Sequence, residues 1–505
     1  MRFSAREGKS KTFARGCATP TETISRGAWV ATTVVWFSSD LRISDNEALH
    51  AACRRGAVVA LFVWSPAEPG SRAPGAARRW WLGSALRDLA AALQRCGVPL
   101  VLRRSEAALP AIEEVVRTAE ADAVFWNRRY DPAVAHRDEQ IARSLRRLGI
   151  WVQQFPGALW HEPEELAREA GHPYRVFTPF WRVLATRAPA GPLPPPVAAA
   201  APSHVPRSDE RDALELVPQT NETTWARCWE PTETAALRCL EEFVREGLSE
   251  YAQRRDQLAV PGTSKLSPYL AHGQLTPRQI WHRVDQAAGS SPAAAAFLRQ
   301  LAWREFAYHT LVHYPELPVR SLRPEFDRFP WVELEADAWS RWRQGLTGIP
   351  VVDAGMRELL ATGWMHNRAR MIVASWLCKN LRAHWRHGEQ WFWERLVDAD
   401  PANNPFGWQW IAGSGADAAP YWRVLQPVRQ GTKFDPEGLY VRRWVPELAD
   451  LPAEHIHQPW LAPPSVLDRA GVVLGKTYPR PMADPTATRQ ASIAAFTQFR
   501  TARRS

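Results

Sequence analysis

From Trp29 onward the chain alternates short apolar runs with segments of helical spacing. Val30–Phe37 and Ala57–Trp64 are apolar and rich in β-branched residues, as buried strands are. Arg78–Arg95 sets Trp81, Leu82, Leu86, Leu89 and Leu93 on a helical period, and Gly97 supplies a stop. A strand at Val98–Leu102, a helix at Leu109–Glu120, a strand at Ala123–Trp126, a helix at Ala133–Leu148 and a strand at Ile150–Phe155 follow. Strands apolar on both faces, alternating with helices, predict a doubly wound parallel sheet, an α/β domain over residues 29–160. The first strand runs into Ser38-Ser39-Asp40-Leu41-Arg42 instead of a GxGxxG turn, which argues against a standard dinucleotide site there.

The pattern then changes. Residues 161–231 read as an interdomain linker, rich in Pro and Ala between Pro189 and Pro218 and broken by Pro194-Pro195-Pro196. From Thr232 the periodicity is helical with few β runs, which predicts an all-α domain over residues 232–480 and a C-terminal tail at 481–505. Residues 1–28 lack periodicity and carry six Lys/Arg against two Glu, so they read as a disordered basic tail.

Composition narrows the classes. Over 505 residues no apolar run reaches the roughly 20 that a membrane span needs. The six cysteines are scattered without a CxxC pair, which argues against a zinc ribbon or disulfide scaffold and fits a reducing, cytoplasmic setting. The formal charge of +10 points to a polyanionic partner. Twenty-six tryptophans exceed what most cores use; indoles also stack on bases.

Gly475-Lys476-Thr477 mimics the end of a phosphate loop, but the first glycine is replaced by Ala470, and Tyr478-Pro479 forbids the helix that should follow. Gly262-Thr263-Ser264 precedes a helix and serves either as a cap or as a pyrophosphate cradle. Gln300, Trp303 and Arg304 share one helix face, as do Asn367 and Met371. Asp398 to Trp410 packs two carboxylates, two amides and two indoles into a stretch that Pro and Gly keep from being one simple helix. No His/Cys cluster accompanies these acids, so no metal is expected.

These motifs, with Trp303-Arg304-Glu305-Phe306, Asp353-Ala354-Gly355-Met356-Arg357, Gly363-Trp364-Met365-His366-Asn367-Arg368 and Asp417-Ala418-Ala419-Pro420-Tyr421, resemble those of the cryptochrome/DNA photolyase family over roughly residues 33–460. Within it the chain looks most like the cyclobutane pyrimidine dimer photolyases. The resemblance implies an α/β antenna domain, a helical domain holding FAD, and light-driven electron transfer from reduced flavin to a flipped-out dimer in UV-damaged DNA. Its rival is a cryptochrome-type photoreceptor without repair activity.

Position by position, the resemblance places Tyr251, Thr263, Ser264, Lys265, Leu266 and Ser267 at the FAD phosphates. It places Trp303, Arg304, Asn367, Arg370, Asp398, Ala399, Asp400 and Asn404 around the rest of the cofactor, with Arg370 paired to Asp398 and Asn404 at flavin N5. Gln300, Trp303, Arg304, Arg255, Asn367, Arg368, Met371, Trp410 and Arg423 fall at DNA or substrate positions. Trp408, Trp385 and Trp331 match an electron-transfer triad. For a second, antenna chromophore the resemblance favours methenyltetrahydrofolate, through Asn127 and Asp131, and leaves open a deazaflavin or no antenna. A monomer is expected. The chain departs from the pattern at Gln300, where dimer photolyases carry glutamate. It also has Asn367 and Met371 where the (6-4) enzymes carry two histidines, and Gln426 in place of asparagine before Pro427.

Overall fold

The computed structural model describes residues 31–68, 72–157, 159–166, 172–216, 222–419 and 421–502. The basic segment 1–28 lies outside them. Strands β1 (Thr32–Phe37), β2 (Ala57–Trp64), β3 (Leu100–Arg104), β4 (Ala123–Asn127) and β5 (Trp151–Phe155) form one parallel sheet in the order β3-β2-β1-β4-β5. Register pairs Val34 with Val59 and Val124, so apolar rows run across the sheet. Helices α1 (Glu47–Arg55), α2 (Ala76–Arg95), α3 (Ala108–Thr118) and α4 (Pro132–Arg147) cover it. Alternation divides the strands between two cores. Val35, Phe37, Ala60, Phe62 and Phe125 pack with α1 and α2, while Val34, Trp36, Leu61, Val101 and Trp126 pack with α3 and α4. Helix α1 escapes the periodic reading, although Asn46 caps it and Arg54, Arg55 and Gly56 close it.

The α1/α2 face of the sheet is continuous with the helical part of the molecule, and its cluster runs through Phe177, Leu240, Phe297 and Phe306. The junction is polar and buried. Asp45, with no exposed surface, accepts from Arg278 at 2.9 Å and from the Thr276 hydroxyl at 2.6 Å. Arg42 donates to the carbonyls of Asp45 and Gly273. A second apolar cluster, from Trp342 through Met356, Ile372, Trp385 and Trp408 to Tyr478, fills the far half of the helical region.

Residues 161–231 are more than a linker. They hold a helix at Phe177–Leu184 whose Phe177 and Phe180 are buried, and a second helix at Glu222–Cys228. The proline-rich stretch is tied to the sheet domain: the Ala199 amide donates to the Cys96 carbonyl at 3.0 Å. The expected tail likewise contains structure. Pro485–Thr501 is a helix that lays Ala495, Phe496 and Phe499 on Phe326, Phe329, Trp331 and Trp422. Its 3.6-residue apolar spacing is weak, because only two large apolar side chains, Phe496 and Phe499, make the contact. Among the described residues no helix is long and apolar enough to cross a membrane.

Candidate functional site

A cavity of about 580 Å³ opens between the two helical clusters. Leu266, Phe297, Leu301 and Phe406 wall it from one side, and Met365, Phe392, Trp408 and Ile411 from the other. Every residue that the resemblance assigns to the cofactor lines it: Tyr251, Thr263 to Ser267, Trp303, Arg304, Asn367, Arg370, Asp398, Ala399, Asp400 and Asn404. Gln300, Arg255, Arg368, Met371, Trp408 and Trp410 line it too. Trp331, Trp385 and Arg423 do not.

At one end, residues 262–267 form a tight loop. A Cβ on Gly262 would sit 2.4 Å from the Arg254 carbonyl oxygen, so only glycine lets the two segments approach. Lys265 adopts φ +51°, a conformation non-glycine residues rarely take, and its ammonium lies 5.5 Å from the Trp364 ring centroid. The Ser267 hydroxyl donates to Asp398 Oδ2 at 2.7 Å, and Arg370 Nη2 reaches the same oxygen at 2.8 Å. Asp398 is thus fixed by a hydroxyl and a guanidinium, as the pairing with Arg370 requires.

Asp400 works differently. Its Oδ1 accepts from the amides of Ala402 and Asn403, capping the helix Asn403–Ala412, and its Oδ2 accepts from the Tyr308 hydroxyl at 2.6 Å. Tyr308, one turn beyond Arg304 on Pro292–His313, is a site residue that sequence reasoning missed; the i, i+4 spacing was the available signal. Glu389 is a second. Its carboxylate accepts from Asn404 Nδ2 at 2.7 Å and from Arg72 at 2.7 Å, leaving the Asn404 carbonyl oxygen to accept elsewhere. Burial raises the Glu389 carboxyl, opposed by Arg72 and Asn404.

Gln300, Trp303 and Arg304 do share a face of Pro292–His313. Trp303 has one ring face already covered: Phe177 stacks on it at 3.7 Å between centroids, nearly parallel. Arg304 is 11% exposed and donates to Glu305 at 2.8 Å. That burial sets Arg304 in the cavity wall. Burial pushes the Glu305 carboxyl up to about 7, although Arg304 opposes it. Asn367 and Met371 meet, with Asn367 Nδ2 3.8 Å from Met371 Sδ. Trp410 donates to the Asp417 carbonyl at 3.1 Å, and exposed Arg423 lies 6.0 Å from its centroid. Gln426 accepts from the Arg429 amide at 2.6 Å and caps Pro427–Phe434, a task an asparagine would share.

Of the three triad tryptophans, only Trp408 reaches the cavity. Its ring neighbours are Phe392 at 4.9 Å and Trp342 at 6.4 Å. Trp385 is fully buried and joins Trp331 through His384, at 5.6 and 5.3 Å. At the sheet, the crevice where the strand order reverses, between β1 and β4, is the usual ligand position of such folds. Here it is filled. Asn127 donates to Asp40 and Asn46 at 2.8 Å each and accepts from the Ala48 amide, while Asp131 caps α4. Asn127 is therefore tied to the segment that joins β1 to α1. Among the described residues no group of His, Cys, Asp or Glu is placed to hold a metal.

Two family models match, the FAD binding domain of DNA photolyase over residues 297–498 and DNA photolyase over residues 33–200. The chain is 44% identical over 474 residues to a deoxyribodipyrimidine photo-lyase of Agrobacterium fabrum, covering 92% of this chain and 98% of that one. It is 39% identical over 487 residues to cryptochrome-2 of Arabidopsis thaliana, covering 93% and 79%. The crystal structure of a bacterial class III photolyase from Agrobacterium tumefaciens superposes with a TM-score of 0.90 at 42% identity, over 95% of this chain and all of that one. A Synechocystis cryptochrome structure gives 0.84 at 30%, over 92% and 99%. With a five-stranded parallel sheet, a helical domain built around one deep cavity, and this similarity along nearly the whole chain, the protein belongs to the DNA photolyase/cryptochrome family.

Proposed function

We propose that this protein repairs cyclobutane pyrimidine dimers in UV-damaged DNA, using FAD and light. The observation that carries the reading is the continuity of one cavity. Its deep part holds hydroxyls, Arg370, Asp398 and Asn404, and its mouth holds Gln300, Asn367, Met371 and the indoles Trp303 and Trp410. The donor set fits FAD. The Thr263 and Ser264 hydroxyls, Lys265 and the nearby backbone amides suit a pyrophosphate, and Asp398, held by Arg370 and Ser267, suits the flavin side. Reduced FAD, when bound, supplies the photoexcited electron that splits the dimer.

The chain's own part is to bind, orient and exclude water. A dimer leaving the duplex forfeits stacking worth a few kcal/mol, and the Trp410 face and the free side of Trp303 offset part of it. Gln300 can donate and accept at once, so it orients a base edge, but its amide N–H is a weaker donor than a protonated carboxyl. Asn404, its amide nitrogen spent on Glu389, presents a carbonyl to the cavity. The test is repair of a defined thymine dimer by purified, flavin-loaded, reduced protein under blue light. Dimer loss in light and none in the dark is expected. Absence of repair in light, with flavin bound and photoreducible, would make the protein a photoreceptor like its cryptochrome relatives.

A further inference from the structure

Arg255 and Arg368 line the mouth of the cavity, and both turn back on a carboxylate that does not line it, Asp256. Arg368 grips Asp256 with two prongs, Nε to Oδ1 at 2.8 Å and Nη2 to Oδ2 at 2.6 Å. Arg255 Nε reaches Oδ1 at 3.4 Å. The Arg368 guanidinium lies over the Phe434 ring, 4.8 Å from its centroid, so its plane is fixed on a third side. Burial raises the Asp256 carboxyl, but its bonds to Arg368 and Arg255 outweigh that and hold it below the usual carboxylate range. The acid is charged at neutral pH.

A surface built only for affinity would leave its cations to the phosphates, since each neutralised phosphate releases counterions. Here two guanidiniums share one anion. A backbone phosphate can take Arg368 two-pronged only by displacing Asp256 from a charge-assisted pair. The remaining terminal nitrogen, Nη1, donates to Met371 Sδ at 3.7 Å, and Met371 with Asn367 lines the cavity, so the fork on Asp256 turns Arg368 toward the cavity wall.

We infer that Asp256 is a positioning residue for damage discrimination: it withholds Arg368 from the backbone of intact duplex and aims it at the extruded lesion. The inference rests on the damaged-DNA reading above.

The test is dark binding of the flavin-loaded protein to a labelled duplex with and without one thymine dimer, from about 50 to 200 mM salt. Asp256→Asn should tighten intact-duplex binding about three- to tenfold and steepen its salt dependence by about one phosphate contact. Dimer binding should stay within about twofold, so the dimer-to-intact ratio falls about three- to tenfold. Asp256→Glu should restore the ratio to within about twofold, because charge and reach are kept. Arg368→Lys, which keeps the charge and loses the fork, should lower the ratio by weakening dimer binding alone. Equal changes for both duplexes, or a joint loss with a lowered melting temperature, would reduce Asp256 to an ordinary ion pair and overturn the inference. Wild-type protein without any preference for the dimer would overturn the damaged-DNA reading and this inference together. Preference kept in Asp256→Asn would overturn this inference alone.

Discussion

Gly388 lies in the helix Trp385–Arg395 directly against the indole of Trp408. A Cβ there would meet Trp408 Cη2 at 2.1 Å and Cζ3 at 2.4 Å. Ordinary carbon contacts are about 3.5–4.0 Å, so Gly388→Ala must open the gap by roughly 1.5 Å. Neither side gives easily. Trp408 is 3% exposed and boxed by Phe392 and Trp342, and Gly388 is mid-helix. Overpacking of this kind costs about 1–3 kcal/mol, and alanine returns about 1 kcal/mol in helix propensity. The net loss of up to about 2 kcal/mol lowers the melting temperature by a few degrees. It also pushes the indole into the cavity wall, so flavin affinity should fall about tenfold, equivalent to about 1.4 kcal/mol. Gly407 is the control. It too is helical and lines the cavity, but an added Cβ meets nothing within 4 Å, so the flavin-free Gly407→Ala protein should gain about 1 kcal/mol. Thermal melts and flavin titration of both variants decide the matter. A Gly388→Ala protein that melts at or above wild type and binds flavin normally would refute the packing argument.

Asp398→Ala leaves Arg370 without its carboxylate in a mostly buried site, a loss of about 3–5 kcal/mol; flavin should be stripped from this variant on gel filtration that wild type survives. Gln300→Glu should raise the number of dimers split per photon, because a protonated carboxyl is a stronger donor than an amide; an unchanged or lower quantum yield would reject that role. Trp410→Ala should lose about 1–3 kcal/mol of preference for dimer-containing DNA, measured by competition with intact duplex. Burial pushes His309 and His366 down to about 4, so each is neutral when folded and protonates on unfolding below its ordinary value near 6.5. Their contribution is complete above that value and is lost as pH falls toward 4, at about 1.4 kcal/mol per pH unit for each histidine. His366→Asn can retain the cap on the Arg368 amide and should make the acid slope one proton shallower in melts from pH 7 to 4.5.

The sheet was legible in the sequence because its central strands β1, β2 and β4 are apolar on both faces, although helix α1 between the first two went unread. The cavity was legible only as far as side chains act locally. Gln300, Trp303 and Arg304 could be placed on one face from spacing, but nothing near Trp303 announced that Phe177 would cover its ring from more than a hundred residues away. The partners of Asn127 were equally hidden, because Asp40, Asn46 and Ala48 lie 79 to 87 residues earlier in the chain. Glu389 and Arg72 belong to different domains, and only folding reveals that their pair fixes the Asn404 amide. Helix Pro485–Thr501 hid because its partners, Phe326, Phe329 and Trp422, are spread along the chain.

That helix has a consequence for biosynthesis. Its Phe496 stacks on Trp422 at 4.6 Å, and Ser492 accepts from the Trp422 indole. On the other face of Trp422 the buried ammonium of Lys379 lies 3.0 Å from the ring centroid and donates to the carbonyl of Ala412, the last residue of the helix that carries Trp408 and Trp410. The substrate wall is therefore braced by residues translated after it. At 5–20 residues per second, a ribosome needs roughly 4–15 s to go from Trp422 to Phe499. During that interval Phe326, Phe329 and Trp331 are an uncovered aromatic surface, the kind that holdase chaperones bind. Nascent chains arrested near residue 470 should be cut by protease around Trp376–Asn380, and full-length chains released from the ribosome should resist.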